Sequence, residues 1–331
     1  MKVVVDSAIP YIKDILEQYA EVVYLPGLDI THDDVKDADA LIIRTRTYVG
    51  RALLDNSRVR FVATATIGTD HIDLDYCRKN NIAVCSAPGC NARGVLQWVA
   101  AVLHQVVTTD GAAPSDYTLG VVGVGNVGSL VSQYARHWGF RVMECDPPRQ
   151  EREGGEFYDI EDIAKQCDII TLHTPYDKTT RHLVDAALLQ HMPPHTTIIN
   201  ASRGGVVDNR AAMYSGHRYI FDVWEGEPEI DLKVLHHAML ATPHIAGYSL
   251  QGKANATAMC VNAFAEFFGL PITDWYPEGV VRTTPRLISW EELCTTIAKR
   301  YDITAESETL KLDGWKFDNL RDSYTYREEY F

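Results

Sequence analysis

Short apolar runs punctuate the first part of the chain. Residues 3–5, 22–25, 40–43, 61–65 and 82–85 are each brief, continuous and rich in Val, Ile, Ala and Phe. Such runs predict strands buried on both faces. Between them, residues 11–19, 33–36, 51–54 and 74–79 mix apolar and polar positions and predict short helices. Regular strand–helix alternation implies a parallel sheet covered on both sides. Ligands of such sheets sit beyond the carboxyl ends of the strands. Two polar clusters fall there: Arg44, Thr45 and Arg46 after the third run, and residues 64–70 after the fourth.

A long helical pattern then runs from Asn91 to position 107, with Val95, Val99, Val102 and Val106 on one face and Asn91 as its N-cap. A second series of apolar runs follows at 119–122, 140–145, 168–172, 197–200, 219–223 and 239–241, with helices predicted at 185–192 and 209–214. Pro193 and Pro194 end the first of these. Residues 249–268 form another long helix, whose early position after the last strand returns the chain to the first lobe. The expected organisation is α/β with two parallel-sheet lobes. Both lobes are expected to be Rossmann-like or flavodoxin-like: residues 1–90 and 248–270 form a substrate-binding lobe, and residues 91–247 form a Rossmann lobe inserted into it. Residues 271–331, rich in Tyr, Trp and charge, are too few for a robust core of their own. They carry one predicted helix at 290–299 and are expected to dock on the chain or on a partner subunit.

The run Leu119-Gly120-Val121-Val122 leads straight into Gly123-Val124-Gly125-Asn126-Val127-Gly128. The glycines stand in G-x-G-x-x-G spacing. The first permits a tight turn, the second lets a pyrophosphate reach the backbone, and the third lets helix and strand pack closely. The amides at the start of the following helix, at Asn126 and Val127, face the anion with the helix dipole behind them. The next strand ends at Asp146, the spacing at which a carboxylate meets the adenosine ribose. A carboxylate there favours NAD over NADP, although Arg149 stands close by.

Composition narrows the field. The chain has 331 residues, an apolar fraction of 46% and a formal charge of −14. That length favours two domains, and that charge argues against a nucleic-acid partner. No apolar run approaches a membrane span. The N-terminus enters a strand at once, without the pattern of a signal peptide. The seven cysteines are scattered with no C-x-x-C pair, so reduced, buried thiols in a cytoplasmic protein are expected, with no metal site.

Three clusters fall at strand ends of the second series: Asn200 to Asp208, Asp222 to Pro228, and Thr242 to Gly247. They bring Arg203, Glu227 and His244 out of the sheet in that order. Oxidising a 2-hydroxy acid requires removal of the hydroxyl proton as hydride leaves the same carbon. A histidine suits that transfer near neutral pH, a carboxylate beside it stabilises the imidazolium, and an arginine clamps the substrate carboxylate and polarises the carbonyl oxygen. His244 is therefore the expected acid/base, Glu227 its partner and Arg203 the clamp. An Arg203–Glu227 structural ion pair is the competing reading. Of the twelve histidines, His71, His104, His137, His191, His236 and His237 read as surface or packing residues.

These segments, together with Gly68-Thr69-Asp70-His71-Ile72-Asp73, resemble the D-isomer-specific 2-hydroxyacid dehydrogenase family. The resemblance implies catalytic Arg203, Glu227 and His244, an inserted NAD lobe and a homodimer. Stretches 61–71, 87–92, 145–149, 222–228, 244–248 and 317–321 are similar to a branch of that family that oxidises a phosphorylated 2-hydroxy acid in pyridoxal phosphate biosynthesis. That similarity implies substrate contacts from Thr45, Thr66 and Tyr248. It implies NAD contacts from Asp146, Thr174, Asp222, Gly247 and the backbone of Ala201, Ser202 and Arg203. Thr45 stands where the family often has serine, and the tail is shorter than the usual dimerisation domain. Arg44 and Arg46 fit independently: a phosphorylated substrate needs a second anion site, and alternation along an extended segment would put both on one face. The rival expectations are another substrate of the same family (3-phosphoglycerate, glycerate or glyoxylate) and, more remotely, a non-catalytic NAD sensor.

Overall fold

The computed structural model describes all 331 residues. Its strands form two separate sheets, and every pairing within each is parallel. The first sheet comprises β1 (Lys2–Asp6), β2 (Glu21–Leu25), β3 (Ala40–Ile43), β4 (Phe61–Thr64) and β5 (Ala83–Cys85), in the order β2-β1-β3-β4-β5. The second comprises β6 (Thr118–Val122), β7 (Arg141–Cys145), β8 (Ile169–Leu172), β9 (Thr197–Asn200), β10 (Arg218–Phe221) and β11 (Leu240–Ala241), in the order β11-β10-β9-β8-β6-β7. The chain divides into two compact units. One is Met1–Asn91 with Ser249–Arg282; the other is Ala92–Tyr248 with Thr283–Phe331.

In the first unit, strand side chains alternate between two cores, as a pleat dictates. Val4, Leu41, Ile43 and Val62 face Leu53, Leu54, Ile72 and Cys77. Val3, Val5, Ala40, Ile42, Phe61 and Ala63 face Cys260, Val261 and Phe264. The latter three lie on the helix Leu250–Phe268, which Ser249 caps through the amide of Gly252. The predicted helix at 11–19 does not form. Tyr11 and Asp14 adopt φ of 64° and 65°, a left-handed backbone that no α-helix contains. Ile9, Ile12 and Leu16 still reach the core, carried by successive turns.

In the second unit, Leu119, Val121, Ile169, Ile199, Ile220 and Leu240 face Trp98, Val99, Val102 and Val106 of the helix Ala92–Asp110. The opposite sheet face holds Ile170, Leu172, Ile198 and Phe221. Asn91, expected to cap Ala92–Asp110, keeps a buried Oδ1 without a hydrogen-bond partner. The helix predicted at 185–192 is shorter, Ala186–Leu189, because turns lead into Pro193 and Pro194. Residues 271–331 do not stand apart. Those up to Arg282 belong to the first unit, and the remainder packs on the second. There Ile288, Leu293, Ile297, Tyr301 and Phe331 join one core, and Leu310 and Phe317 join the other. A segment too small for its own core thus borrows both faces of a sheet. Of the seven cysteines, all unpaired, Cys294 is exposed, contrary to the expectation of burial. No helix is long and apolar enough to cross a membrane.

Each sheet reverses its strand order once, between β1 and β3 and between β6 and β8. Crevices open at such reversals, beyond the carboxyl ends of the strands. The residues singled out from sequence stand at those ends.

Candidate active site

The glycine loop follows β6, beside the reversal. Gly123 has φ 85°, and a side chain there would meet the His173 carbonyl oxygen at 2.7 Å. At Gly128 a Cβ would lie 2.0 Å from the Gly123 oxygen, so only glycine lets the helix Asn126–Trp138 start this close to the turn. Gly125 differs: nothing lies within 4 Å of its would-be Cβ. No side chain caps the helix that it begins. Just after β8, the Thr174 hydroxyl is buried without a partner. An open space, uncapped amides and an orphaned hydroxyl fit the pyrophosphate of a dinucleotide.

Asp146 ends β7. Its Oδ2 accepts from the Val124 amide at 2.8 Å, and its Oδ1 accepts from the Arg149 amide at 2.9 Å. The carboxylate therefore braces the glycine loop and caps Pro147–Glu153. Arg149 is held by Glu153 at 2.8 Å and by the Val124 carbonyl at 2.7 Å. A guanidinium so engaged is a poor receptor for a ribose phosphate, which favours the unphosphorylated cofactor.

The β9 end is shaped by Asn200. Its Oδ1 accepts from the Ser202 amide and hydroxyl, at 3.1 and 2.8 Å, and its Nδ2 donates to the Arg203 carbonyl at 2.9 Å. A Cβ at Gly204 would lie 2.0 Å from the Trp224 carbonyl, so this turn presses on the loop after β10. Ala201, Ser202 and Arg203 are thereby fixed at the carboxyl end of β9. Arg203 donates to the Ser202 carbonyl at 2.8 Å.

The loops after β10 and β11 carry the densest polar network. His244 Nδ1 lies 2.6 Å from Glu227 Oε2. Glu227 Oε1 accepts from the Trp224 amide at 2.8 Å. Glu227 thus pairs with His244 and not with Arg203. Burial alone would raise the Glu227 pKa, but His244, the Trp224 amide and the more distant Arg321 outweigh it and hold the carboxyl below its usual range. His244 sits at φ 58°, a conformation that costs a non-glycine residue of order 1 kcal/mol or more. Asp222 secures it: its backbone oxygen accepts from the His244 amide at 2.8 Å. The Asp222 carboxylate, 1% exposed, accepts from the amides of Ile245 and Ala246 and from Thr242 Oγ1. Burial raises its pKa despite those donors and nearby His244. Implied as an NAD contact, Asp222 spends its carboxylate on the protein's own loop. A carboxylate on Nδ1 fixes the imidazole tautomer and leaves Nε2 for proton exchange.

The tail supplies two residues for which the sequence suggested no role. Arg327 donates to the carbonyls of Ile245, Gly94 and Ala246. Arg321 Nε donates to the Tyr248 hydroxyl at 3.1 Å, and Tyr248 also packs edge-on to Tyr324 and Tyr326. Gly247 lies between these anchored positions. Such contacts join residues far apart in the chain, and no local spacing announces them.

The remaining candidates lie in the first unit. Residues 44–46 form a turn and not an extended strand, so alternation does not place Arg44 and Arg46 on one face. Arg44 donates to the Ala8 carbonyl at 3.2 Å. Thr45 and Arg46 are exposed. Thr66 bonds Thr64 Oγ1 at 2.7 Å and donates to the Gly68 carbonyl at 3.1 Å. His71 contacts Thr64 at 3.1 Å. Glu227, His244 and Asp222 thus form one hydrogen-bonded cluster, in the same unit as the glycine loop, Arg203 and Tyr248.

Residues 93–246 match the model of the D-isomer specific 2-hydroxyacid dehydrogenase NAD-binding domain. The chain is 45% identical to an erythronate-4-phosphate dehydrogenase of Bacteroides fragilis, over 99% of this chain and 97% of that protein. It is 47% identical to one of Ectopseudomonas mendocina, over 82% of this chain and 73% of that protein. Among solved structures, D-lactate dehydrogenase from Aquifex aeolicus, complexed with NAD and lactic acid, aligns with TM-score 0.67 and 24% identity over 81% of this chain and 96% of its own. NAD-bound 3-phosphoglycerate dehydrogenase of Entamoeba histolytica aligns with TM-score 0.69 and 24% identity over 85% and 99%. At that identity the structural likeness speaks for the fold.

Proposed function

The chain belongs to the erythronate-4-phosphate dehydrogenases, and from that premise we propose that it oxidises 4-phospho-D-erythronate at C2, with NAD, to 3-hydroxy-2-oxo-4-phosphooxybutanoate on the route to pyridoxal 5′-phosphate. The observation that carries this reading is the 2.6 Å contact between His244 and Glu227, in the unit that also holds the glycine loop.

Bound NAD supplies the hydride acceptor, held by Gly123, Gly125, Asn126, Val127, Asp146 and Thr174, with the backbone of Ala201, Ser202 and Gly247. The chain does the rest. His244 Nε2 removes the C2 hydroxyl proton as the C2–H bond breaks, and the C–O bond becomes a carbonyl. Glu227 stabilises the imidazolium so formed. Arg203 holds the substrate carboxylate and the oxygen at C2, where negative charge gathers before the carbonyl is complete. Arg44, Thr45 and Arg46 take part in phosphate binding, and Thr66 and Tyr248 contact the sugar-acid chain. Asp222 is a further NAD contact in this reading, and it also fixes the loop that carries His244. The working form in this reading is a cytoplasmic homodimer, as the family resemblance implies; the unpaired cysteines suit a reducing compartment.

The deciding experiment incubates the purified chain with 4-phospho-D-erythronate and NAD, with and without 2-oxoglutarate, and follows the 2-oxo product. Product formed far faster than from 3-phosphoglycerate is the expected result. A need for 2-oxoglutarate would reveal a cofactor retained between turnovers. No product in either condition, from protein shown to bind NAD, would overturn the reading.

A further inference from the structure

The helix Phe317–Asp322 brings Arg321 to the loop that follows His244. Its side chain is half-buried, yet it makes a single hydrogen bond to the protein, from Nε to the Tyr248 hydroxyl at 3.1 Å. The guanidinium carbon lies 5.9 Å from the centre of the same ring. Neither terminal amino group has a protein acceptor, and no carboxylate is within ion-pair distance. Arg327, six residues further on, instead spends its terminal groups on three backbone carbonyls and the Tyr324 hydroxyl. The terminal amino groups of Arg321 are not buried, so they meet solvent and stand ready to take an anion with two charge-assisted donors.

The electrostatics agree. Burial opposes the charge on Arg321, but Tyr248, Glu227 and Asp222 together more than offset it. The side chain is therefore a fixed cation near the acid/base pair. Arg203 serves the carboxylate end of a 2-hydroxy acid, so a second anion on the same substrate is the natural partner of this cation.

We propose that Arg321 is a substrate-binding residue whose terminal amino groups hold the phosphate of the phosphorylated hydroxy acid, oriented for it by the hydroxyl and ring of Tyr248. The inference rests on the reading of the substrate given above. It makes the C-terminal tail a determinant of specificity as well as a packing element. Arginine is suited to this work because its planar fork binds phosphate with two donors, whereas lysine offers a point charge.

The test uses the full chain and the variants Arg321→Met, Arg321→Lys and Tyr248→Phe, with 4-phospho-D-erythronate and unphosphorylated D-erythronate as the two substrates. NAD binding and circular dichroism report folding. For Arg321→Met, KM for the phosphorylated acid should rise roughly ten- to a hundredfold, the scale of a lost charge-assisted contact. The kcat/KM for D-erythronate should change less than about threefold, and Arg321→Lys should recover part of the loss. Tyr248→Phe should lose less than Arg321→Met, since the guanidinium keeps its ring contact. Equal losses on both substrates would reduce Arg321 to a support for the loop and overturn the proposal, as would an unchanged KM. Failure of the unaltered chain to turn over the phosphorylated acid would overturn the substrate reading, and this proposal with it. Turnover with unaltered discrimination in Arg321→Met would overturn this proposal alone.

Discussion

Glu227 Oε2 and His244 Nδ1 stand 2.6 Å apart although seventeen positions separate them in the chain. Each is held from behind, Glu227 by the Trp224 amide and His244 by the Asp222 carbonyl. The imidazole thus has one tautomer in the resting state, with its second nitrogen available. Replacing His244 with Ala should lower kcat by about 10²–10⁴, the usual worth of a positioned general base. NAD affinity should stay near that of the unaltered chain. Replacing Glu227 with Gln keeps an acceptor and removes the charge, and should cost about 10–100-fold in kcat. Steady-state rates with NAD titrations check both, and full turnover by the His244 variant would remove that residue from the chemistry.

The same pair makes stability depend on pH. The folded pKa of Glu227 lies below its ordinary 4.5. Its contribution is therefore fully present above about pH 4.5 and is lost as pH falls through the folded value. Asp222 works in the opposite sense: its folded pKa is raised above 3.8, so its contribution is present below that pH and lost as pH rises through the folded value. Comparing the unaltered chain with Glu227→Gln isolates the Glu227 part together with its coupling to Asp222 through His244. The stability gap between them, read by urea unfolding, should shrink as the pH is lowered below about 4.5. A gap that is constant or widens on acidification would contradict the assignment.

Two glycines of one loop should behave differently. A methyl group at Gly128 would lie 2.0 Å from the Gly123 oxygen, whereas one at Gly125 meets nothing within 4 Å. Gly128→Ala should therefore cost about 1–3 kcal/mol of stability through overpacking, with loss of NAD binding as a consequence. Gly125→Ala should leave the melting temperature nearly unchanged and still weaken NAD at least tenfold, because the methyl would occupy space used by the cofactor. Thermal unfolding and isothermal titration of the two variants separate the effects. Normal NAD affinity in Gly125→Ala would mean that the pyrophosphate lies elsewhere.

Most strands were legible because a buried parallel strand leaves a short continuous apolar run, as in Ala40–Ile43 and Thr197–Asn200, where expected and observed bounds coincide. The glycine loop, Glu227 and His244 were legible for a related reason: turn residues at strand ends announce side chains brought out of the sheet. Residues 11–19 misled because Ile12 and Leu16 keep helical spacing while the backbone at Tyr11 and Asp14 is left-handed. Spacing reports which side chains are buried, and turns bury them as well as a helix does. The roles of Arg321 and Arg327 were invisible for a different reason. Their partners, Tyr248 and the carbonyls of residues 94, 245 and 246, are between 73 and 233 positions away. A carbonyl acceptor leaves no mark on a sequence, since every residue has one.

Arg327 gives the last prediction. The peptide groups after His244 are gripped from two sides. The Asp222 carboxylate takes the amides of Ile245 and Ala246, and Arg327 takes their carbonyls. The Tyr301 ring lies 4.6 Å from the guanidinium carbon. Each grip helps to keep His244 at its unfavourable φ. Arg327→Met would leave three buried carbonyls without this donor and should cost about 2–4 kcal/mol. The same change should lower kcat more than it raises KM, since the loop, and not the substrate contacts, has moved. A chain ending at Tyr326 should lose more stability than Arg327→Met, because it also takes the buried Phe331 out of the core. Because the missing group is a planar cation in a preformed slot, added guanidinium at millimolar concentration, well below denaturing levels, should restore part of the activity of Arg327→Ala and none of that of His244→Ala. Loss of stability with kcat intact would show that Arg327 holds the tail to the fold and leaves the geometry of His244 to Asp222.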